Sequence, residues 1–249
     1  MAEPDGLTPG RELPVDEAIT LLAHGELGIE GRLMDASNAT LYCSVRLDGV
    51  DAACVYKPVS GERPLWDFPD GTLAEREVAA YEVSVATGWV VVPPTVYRDG
   101  PAGPGMVQLW IDTDEAVSIV PLVRRGASDV LRRIAVFDAV INNADRKGGH
   151  LLPTAAGHIY GIDHGVSFHA EPKLRTLLWQ WAGQPMPADC IECLGRLRAT
   201  LGGELGQRLG DLLTGREVRR TLRRVDSLLN SGCHPEPSGD WPAVPWPPI

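Results

Sequence analysis

Three runs with strand character, LGIEGRLM, ATLYCSVRL and AACVYKPV, follow one another between Leu27 and Val59. They are separated only by the turn tetrapeptides DASN (Asp35–Asn38) and DGVD (Asp48–Asp51). Connections this short join antiparallel neighbours and leave no room for a crossover helix. The chain therefore builds an antiparallel meander rather than a βαβ unit. Ahead of the meander, VDEAITLLAHG has apolar residues at helical spacing and ends on Gly25, a reasonable C-cap. After the loop Ser60–Gly71, Thr72 followed three residues later by Glu75 predicts a capping box and a helix running to Gly88. Two further strand-like runs, VVVPPTVYRD and GMVQLWID, complete a small sheet with one helix inserted after its third strand.

The second half reads differently. Helical spacing runs through Ala127–Ile141, Asp189–Leu201, Leu205–Thr214 and Glu217–Leu229. An irregular Gly-rich segment, NNADRKGGHLL, and a hairpin-like AAGHIYGIDHG lie between the first of these helices and the rest. The last eighteen residues hold six prolines and two tryptophans, Trp241 and Trp246, and cannot form a helix. The expected organisation is a flexible tail over residues 1–13, an N-lobe over 14–110, a C-lobe over 111–231 and a Pro/Trp-rich tail over 232–249.

Net charge of −10 argues against a general nucleic-acid binder, which needs a basic footprint to displace counterions. No apolar run reaches the length of a membrane span, and the N-terminus lacks a signal peptide's basic start and apolar core. Five scattered cysteines fit a reducing cytoplasm. The Cys190-x-x-Cys193 pair stands without the further ligands a structural zinc requires. The arginines of REVRRTLRRVDSLL read as a solvated helical face.

Chemistry concentrates around two aspartates. Asp145 follows an apolar helix in N-x-D-R, where a loop can present a carboxylate, and His150 lies five residues on. Asp163 comes eighteen residues after Asp145, at the end of a strand-like YGI. A base, a nearby metal ligand and a second acidic ligand are what phosphoryl transfer requires: an oriented nucleophile, and phosphates held by Mg²⁺ or Mn²⁺. Lys57 ends the apolar strand CVYKP, and a lysine there needs an anionic partner, which Glu77 on the following helix can supply. Kinases position nucleotide phosphates with such a strand lysine and helix glutamate. His164, beside Asp163, is a further candidate to touch phosphate.

Taken in order, VYKP, REVAAY, VQLW, NNADRKGGHLL and GIDHGVSF resemble the catalytic core of the phosphatidylinositol 3-/4-kinase superfamily over residues 28–185. The likeness is to type II phosphatidylinositol 4-kinases, more weakly to HipA-type kinases, and to an actinobacterial family described as phosphatidylinositol 3-/4-kinase-like. It implies an α+β, two-lobed atypical protein-kinase-like fold, with an antiparallel-sheet N-lobe and a mainly helical C-lobe, binding ATP or GTP between the lobes at about residue 110. It further implies that Lys57 contacts phosphates and Glu77 orients it, and that backbone groups of Gln108, Leu109 and Trp110 form an adenine hinge. Ser37 and Asn38 would lie over the phosphates, Asp145 would orient the hydroxyl with Arg146 supporting its loop, and Asp163 would be the main metal ligand.

Three positions depart from that pattern. His150 stands where the family places Asn, Asp163-His164-Gly165 replaces Asp-Phe-Gly, and DASNAT lacks dense glycine. An imidazole ligand favours Mn²⁺ over Mg²⁺. The acceptor can be a protein, a small molecule or a lipid headgroup. The rival readings are a nucleotide-binding pseudokinase without turnover, an AMP transferase on the same scaffold, and an interaction domain using the C-terminal tail.

Overall fold

The computed structural model describes residues 13–33, 38–126 and 128–248. Most of the N-terminal tail expected over residues 1–13 lies outside them. The chain divides into two compact units, Met1–Val78 with Pro93–Asp112, and Ala79–Val92 with Thr113–Ile249.

The first unit is a five-stranded sheet with one helix packed on a face. Helix α1 (Val15–His24) leads into β1 (Glu26–Arg32), β2 (Leu41–Leu47) and β3 (Val50–Pro58), then, after α2 (Leu73–Thr87), into β4 (Thr95–Gly100) and β5 (Gly103–Leu109). Strand order is β1-β2-β3-β5-β4, with every neighbouring pair antiparallel. The β2–β3 hairpin closes on Asp48-Gly49, both at positive φ, with Leu47 opposite Val50. Only a two-residue primed turn matches the strand twist so tightly. Leu21 and Leu22 of α1 pack with Cys43, Val45, Cys54, Tyr56 and Val107 in one buried cluster. Arg98 fastens the C-terminal end of α1 by donating to the carbonyls of Leu22 and Gly25, at 2.9 and 2.7 Å.

The start of α2 differs from the expected capping box. Glu62, from the loop after β3, accepts the amides of Leu73 and Ala74 at 3.1 and 2.8 Å. Thr72 instead donates its hydroxyl to Pro69 and receives Arg76 Nε. The carboxylate brought in from outside the helix satisfies the orphan donors better than the short hydroxyl beside them.

The second unit is built on α4 (Asp129–Ile141), buried along most of its length. Helices α5 (Ala188–Leu201), α6 (Glu204–Leu212) and α7 (Gly215–Ser231) pack with one another, and α7 packs on α4. Here the capping box does form, between Thr214 and Glu217 at the start of α7. A short hairpin, β6 (Leu151–Pro153) with β7 (Ile159–Gly161), follows the Gly-rich loop. The seven-residue α3 (Ile119–Arg125) was not expected; it is short and carries Pro121. Cys190 and Cys193 are free and buried on α5, and burial pushes the Cys190 thiol up to about 12. Arg216, Arg219, Arg220 and Arg223 are exposed on α7, while Arg224 turns inward to donate to the Val140 carbonyl at 2.8 Å. No described helix is long and apolar enough to cross a membrane.

Candidate functional site

In the sheet unit, Cys54 and Tyr56 of β3 point to the face that α1 covers, so alternation sends Lys57 to the opposite face. There its Nζ lies 2.7 Å from Glu77 Oε1 of α2, with the glutamate only 4% exposed. The strand is pressed against β5 where Pro58 faces Gly105, and a Cβ on Gly105 would meet the Lys57 carbonyl oxygen at 2.4 Å. Glycine is required there by close backbone approach.

The segment Gln108–Trp110 is bound into the sheet. Gln108 pairs with both Val55 and Thr95, and its Nε2 donates to Thr95 Oγ1 at 2.8 Å. The Leu109 and Trp110 amides donate to Pro94 and Ala53 at 2.9 and 3.0 Å. These two N–H groups are therefore bound into the sheet. The reason is nonlocal: β5 lies between β3 and β4, which places strand partners on both sides. Trp110 is partly exposed and meets Tyr42 edge-on at 5.0 Å. Asn38 Oδ1 accepts the Arg63 amide at 2.9 Å, tying Asn38 to the loop after β3, while the rest of the expected turn Asp35–Asn38 lies outside the described residues. Ser37 lies outside the described residues.

In the helical unit, α4 ends at Asn142, in the left-handed conformation with φ 55°. Asn142 holds the chain returning past it: its Nδ2 donates to the His169 and Glu171 carbonyls, and its Oδ1 accepts the Lys173 amide. Asn143 is fully buried; its Oδ1 accepts the Asp145 amide at 2.9 Å, and its Nδ2 donates to Asp138 Oδ1 at 3.0 Å. The Asp145 carboxylate is thereby presented outward. Lys147 Nζ reaches its Oδ2 at 2.9 Å and Arg175 Nη2 its Oδ1 at 3.3 Å.

Arg146 turns the other way and is wholly buried. It pairs with Asp138 of α4 at 2.9 Å. Its Nη1 donates to the Ile162 and His150 carbonyls at 2.9 and 3.3 Å, and its Nη2 meets His164 Nε2 at 2.6 Å. Since guanidinium only donates, that His164 nitrogen accepts. His164 is fully buried and edge-on to Phe137, so it faces the interior rather than a phosphate. A Cβ on Gly161 would stand 3.1 Å from the Arg146 guanidinium, so the glycine gives the arginine its passage.

Leu151 pairs with Gly161, which makes His150 and Ile162 neighbours just past the end of the hairpin; the Ile162 amide donates to the His150 carbonyl at 3.0 Å. Asp163 follows at φ 59°, a conformation Asp tolerates better than most residues and one found at functional loops. His150 Nε2 lies 3.5 Å from Asp163 Oδ2. Burial lowers the His150 pKa from its ordinary value, so the ring is neutral at pH 7. Its Nδ1 faces the Lys147 amide at 3.5 Å, which puts the ring proton on Nε2, toward Asp163. Among the described residues no group of three or more His, Cys, Asp or Glu side chains is arranged to hold a metal ion. A lone imidazole–carboxylate pair fits instead an ion that brings most of its oxygen ligands with it, as a nucleotide-borne Mg²⁺ or Mn²⁺ does.

Sequence reasoning missed Asp138, Lys147 and Arg175. Asp138 did leave a signal, an acid inside the apolar helical run VFDAVI. Arg175, thirty residues from Asp145, left none.

No protein-family model matches the chain. It is 45% identical over 266 aligned residues to Protein Rv2133c of Mycobacterium tuberculosis (strain ATCC 25618 / H37Rv), covering 93% of this chain and 95% of that protein. Among solved structures it is similar to the Golgi casein kinase with Mn/ADP bound, with a TM-score of 0.59 and 13% identity, over 87% of this chain and 75% of the other. It is also similar to the Helicobacter pylori proinflammatory kinase CtkA, with a TM-score of 0.54 and 13% identity, over 85% and 95%. At such identities the likeness is one of fold. The chain has an α+β atypical kinase-like fold, with an antiparallel-sheet lobe and a mainly helical lobe.

Proposed function

The chain belongs to the same family as Protein Rv2133c of Mycobacterium tuberculosis, and from that premise we propose that it is a metal-dependent phosphotransferase moving the γ-phosphate of ATP, or of GTP, to a hydroxyl group. One observation carries the reading. The buried Arg146 guanidinium, adjacent in sequence to Asp145, holds the carbonyls on which His150 and Asp163 depend, so the acid that would orient the hydroxyl and the pair that would meet the metal share one rigid anchor. Phosphoryl transfer is mostly positioning and charge neutralisation, and an anchor of this kind supplies the positioning.

In this reading each residue has a stated role. Lys57, oriented by Glu77, neutralises nucleotide phosphate. Asp145 accepts the hydroxyl's hydrogen bond and aims the oxygen, and Lys147, 2.9 Å from Asp145, offsets part of the carboxylate's charge. Asp163 and His150 are the residues that would hold a divalent ion, which when bound supplies charge neutralisation on phosphate oxygens. To ligate through Nε2, His150 must move its ring proton to Nδ1 and give up the long contact with the Lys147 amide. The Mn/ADP complex of the Golgi casein kinase supports nucleotide and Mn²⁺ as ligands for this fold. The motif order from VYKP to GIDHG supports the finer placement beside the phosphatidylinositol 3-/4-kinases. Five free cysteines fit work in a reducing cytoplasm.

The test is label transfer. γ-Labelled ATP should mark a hydroxyl-bearing acceptor, the chain itself included, and Asp145→Ala should abolish transfer while sparing nucleotide binding. Label appearing only from α-labelled ATP would establish AMP transfer instead. A nucleotide-binding switch without turnover is the second reading, favoured by His150 in place of Asn and by the double ion pairing of Asp145. Nucleotide binding by wild type with no transfer to any acceptor would select it.

A further inference from the structure

The C-terminal segment is too rich in proline to join a sheet as an ordinary strand, because proline offers no N–H. Its carbonyls remain acceptors, and the fold uses them. A first leg leaves α7 at Gly232 and exchanges hydrogen bonds with residues 183–186: the Gly183 amide donates to His234, the His234 amide to Gln184 and the Met186 amide to Gly232. A second leg then runs along the Asp145 loop. The Thr176 amide donates to the Ala243 carbonyl at 3.0 Å, Trp179 Nε1 donates to the same oxygen at 2.8 Å, and the Gly148 amide donates to the Pro248 carbonyl at 2.9 Å.

In all three of these contacts the segment is the acceptor, and what is read is its backbone. Thr176 also bridges in parallel to Arg146, so the order across this face is Asp145 loop, Thr176, tail. The Trp241 ring takes Lys173 Nζ at 4.1 Å and lies 5.9 Å from the guanidinium of Arg175, the residue that pairs with Asp145. The tail thus reaches Asp145 through one side chain. The docked state is also imperfect: among the described residues the buried Trp241 Nε1 and His234 Nε2 have no hydrogen-bond partner. A segment that leaves donors unpaired is held less tightly than its buried area implies.

We propose that the donor strip formed by Gly148, Thr176 and the Trp179 indole is a docking site for an extended polypeptide, filled in this chain by its own residues 241–248, and that exchange of this segment for another polypeptide opens the face beside Asp145 to a protein acceptor. The word acceptor rests on the phosphotransferase reading; the docking does not. A strip that reads successive carbonyls suits an extended chain with little regard to its side chains, and occupation in cis sets the effective concentration any competitor must overcome.

The experiment uses full-length Trp241→Ala and a labelled peptide of residues 240–249. The variant, which loses the ring over Lys173, should bind the peptide at least tenfold more tightly than wild type. Its Gly148 and Thr176 amides should exchange hydrogen at least tenfold faster, and excess peptide should restore their protection. If Trp241→Ala does not fold, Trp241→Leu, which keeps an apolar side chain and loses the ring over Lys173, is read the same way. A folded variant with no gain in peptide binding and unchanged exchange at both amides overturns the docking site. Transfer to a polypeptide acceptor should rise several-fold in the variant and fall on adding peptide; a variant that binds peptide but transfers less overturns the exchange. Peptide binding with no phosphate transfer in any chain would leave the docking site standing and remove the phosphotransferase reading.

Discussion

Arg146 Nη2 lies 2.9 Å from Asp138 Oδ1, and neither side chain reaches solvent. Helix α4 and the loop carrying Asp145 are locked together by this pair, and the same guanidinium reaches the backbone next to Asp163. A buried charge left without its partner is costly, so Asp138→Ala should destabilise by about 3–5 kcal/mol, read as a lowered urea midpoint. Asp138→Leu combined with Arg146→Met should lose less than the sum of the two single changes, because the double variant strands no charge. Additive losses would mean that the pair acts as two independent residues.

The Lys57–Glu77 pair is also largely buried. Lys57→Met should cost about 3 kcal/mol, the lower end for a broken buried pair, because the lysine retains some exposure. It should also remove nucleotide-dependent stabilisation. Glu77→Gln should keep most of the fold yet weaken nucleotide binding at least tenfold by releasing the lysine from its aim. Isothermal titration with ATP and Mn²⁺ separates the two outcomes.

At Gly105 the prediction is steric. A methyl group there would sit 2.4 Å from the Lys57 carbonyl oxygen and 2.7 Å from Pro58 Cα, both backbone. Gly105→Ala should lower the melting temperature and, by shifting β3, weaken nucleotide binding as well. Gly149→Ala, which meets no atom within 4 Å, is the matched control and should change stability little.

His234 predicts the direction of acid sensitivity. Burial, with Arg132 nearby, lowers its pKa to about 4 in the folded chain from an ordinary 6.5. Between those values the unfolded chain binds a proton that the folded chain refuses, so stability is full above pH 6.5 and falls as pH drops toward 4. The loss at pH 5 is about 2 kcal/mol. His234→Leu should flatten the difference between urea midpoints at pH 7.5 and pH 5. His150, whose pKa burial also lowers, contributes in the same sense and remains in both proteins. An unchanged slope would place the acid sensitivity elsewhere.

The elements set by local pattern were legible in the chain: the hairpins around Asp48-Gly49, and α4 to α7 from apolar spacing. What escaped depends on distant partners. Glu62 caps α2 from eleven residues before Leu73, the amides of Leu109 and Trp110 are consumed by strands from two directions, and Arg175 comes thirty residues after the aspartate it pairs with. The meeting of Lys57 and Glu77 had a local basis, strand alternation and helix phase, whereas the inward turn of His164 depends on Arg146 and Phe137, both distant in sequence. The tail could be read as non-helical from its prolines, but its contact with Gly148, a hundred residues earlier, could not.

The proposed role of His150 carries a prediction about metal preference. An imidazole beside one carboxylate suits Mn²⁺ better than the harder, oxygen-seeking Mg²⁺. Nucleotide binding and transfer should be severalfold stronger with Mn²⁺ at matched concentration, and His150→Asn should narrow the gap. Equal response to both ions in wild type would contradict this.

The most direct test of the whole account is nucleotide-dependent thermal stabilisation, with ATP and GTP against Mn²⁺ and Mg²⁺, in wild type and Asp163→Ala. Ligand at a hundred times its Kd stabilises by about 2.7 kcal/mol, readily seen as a melting shift. The account predicts a shift that requires both nucleotide and metal and disappears in Asp163→Ala. No shift with any pair in folded wild-type protein, or one that Asp163→Ala leaves intact, would contradict it.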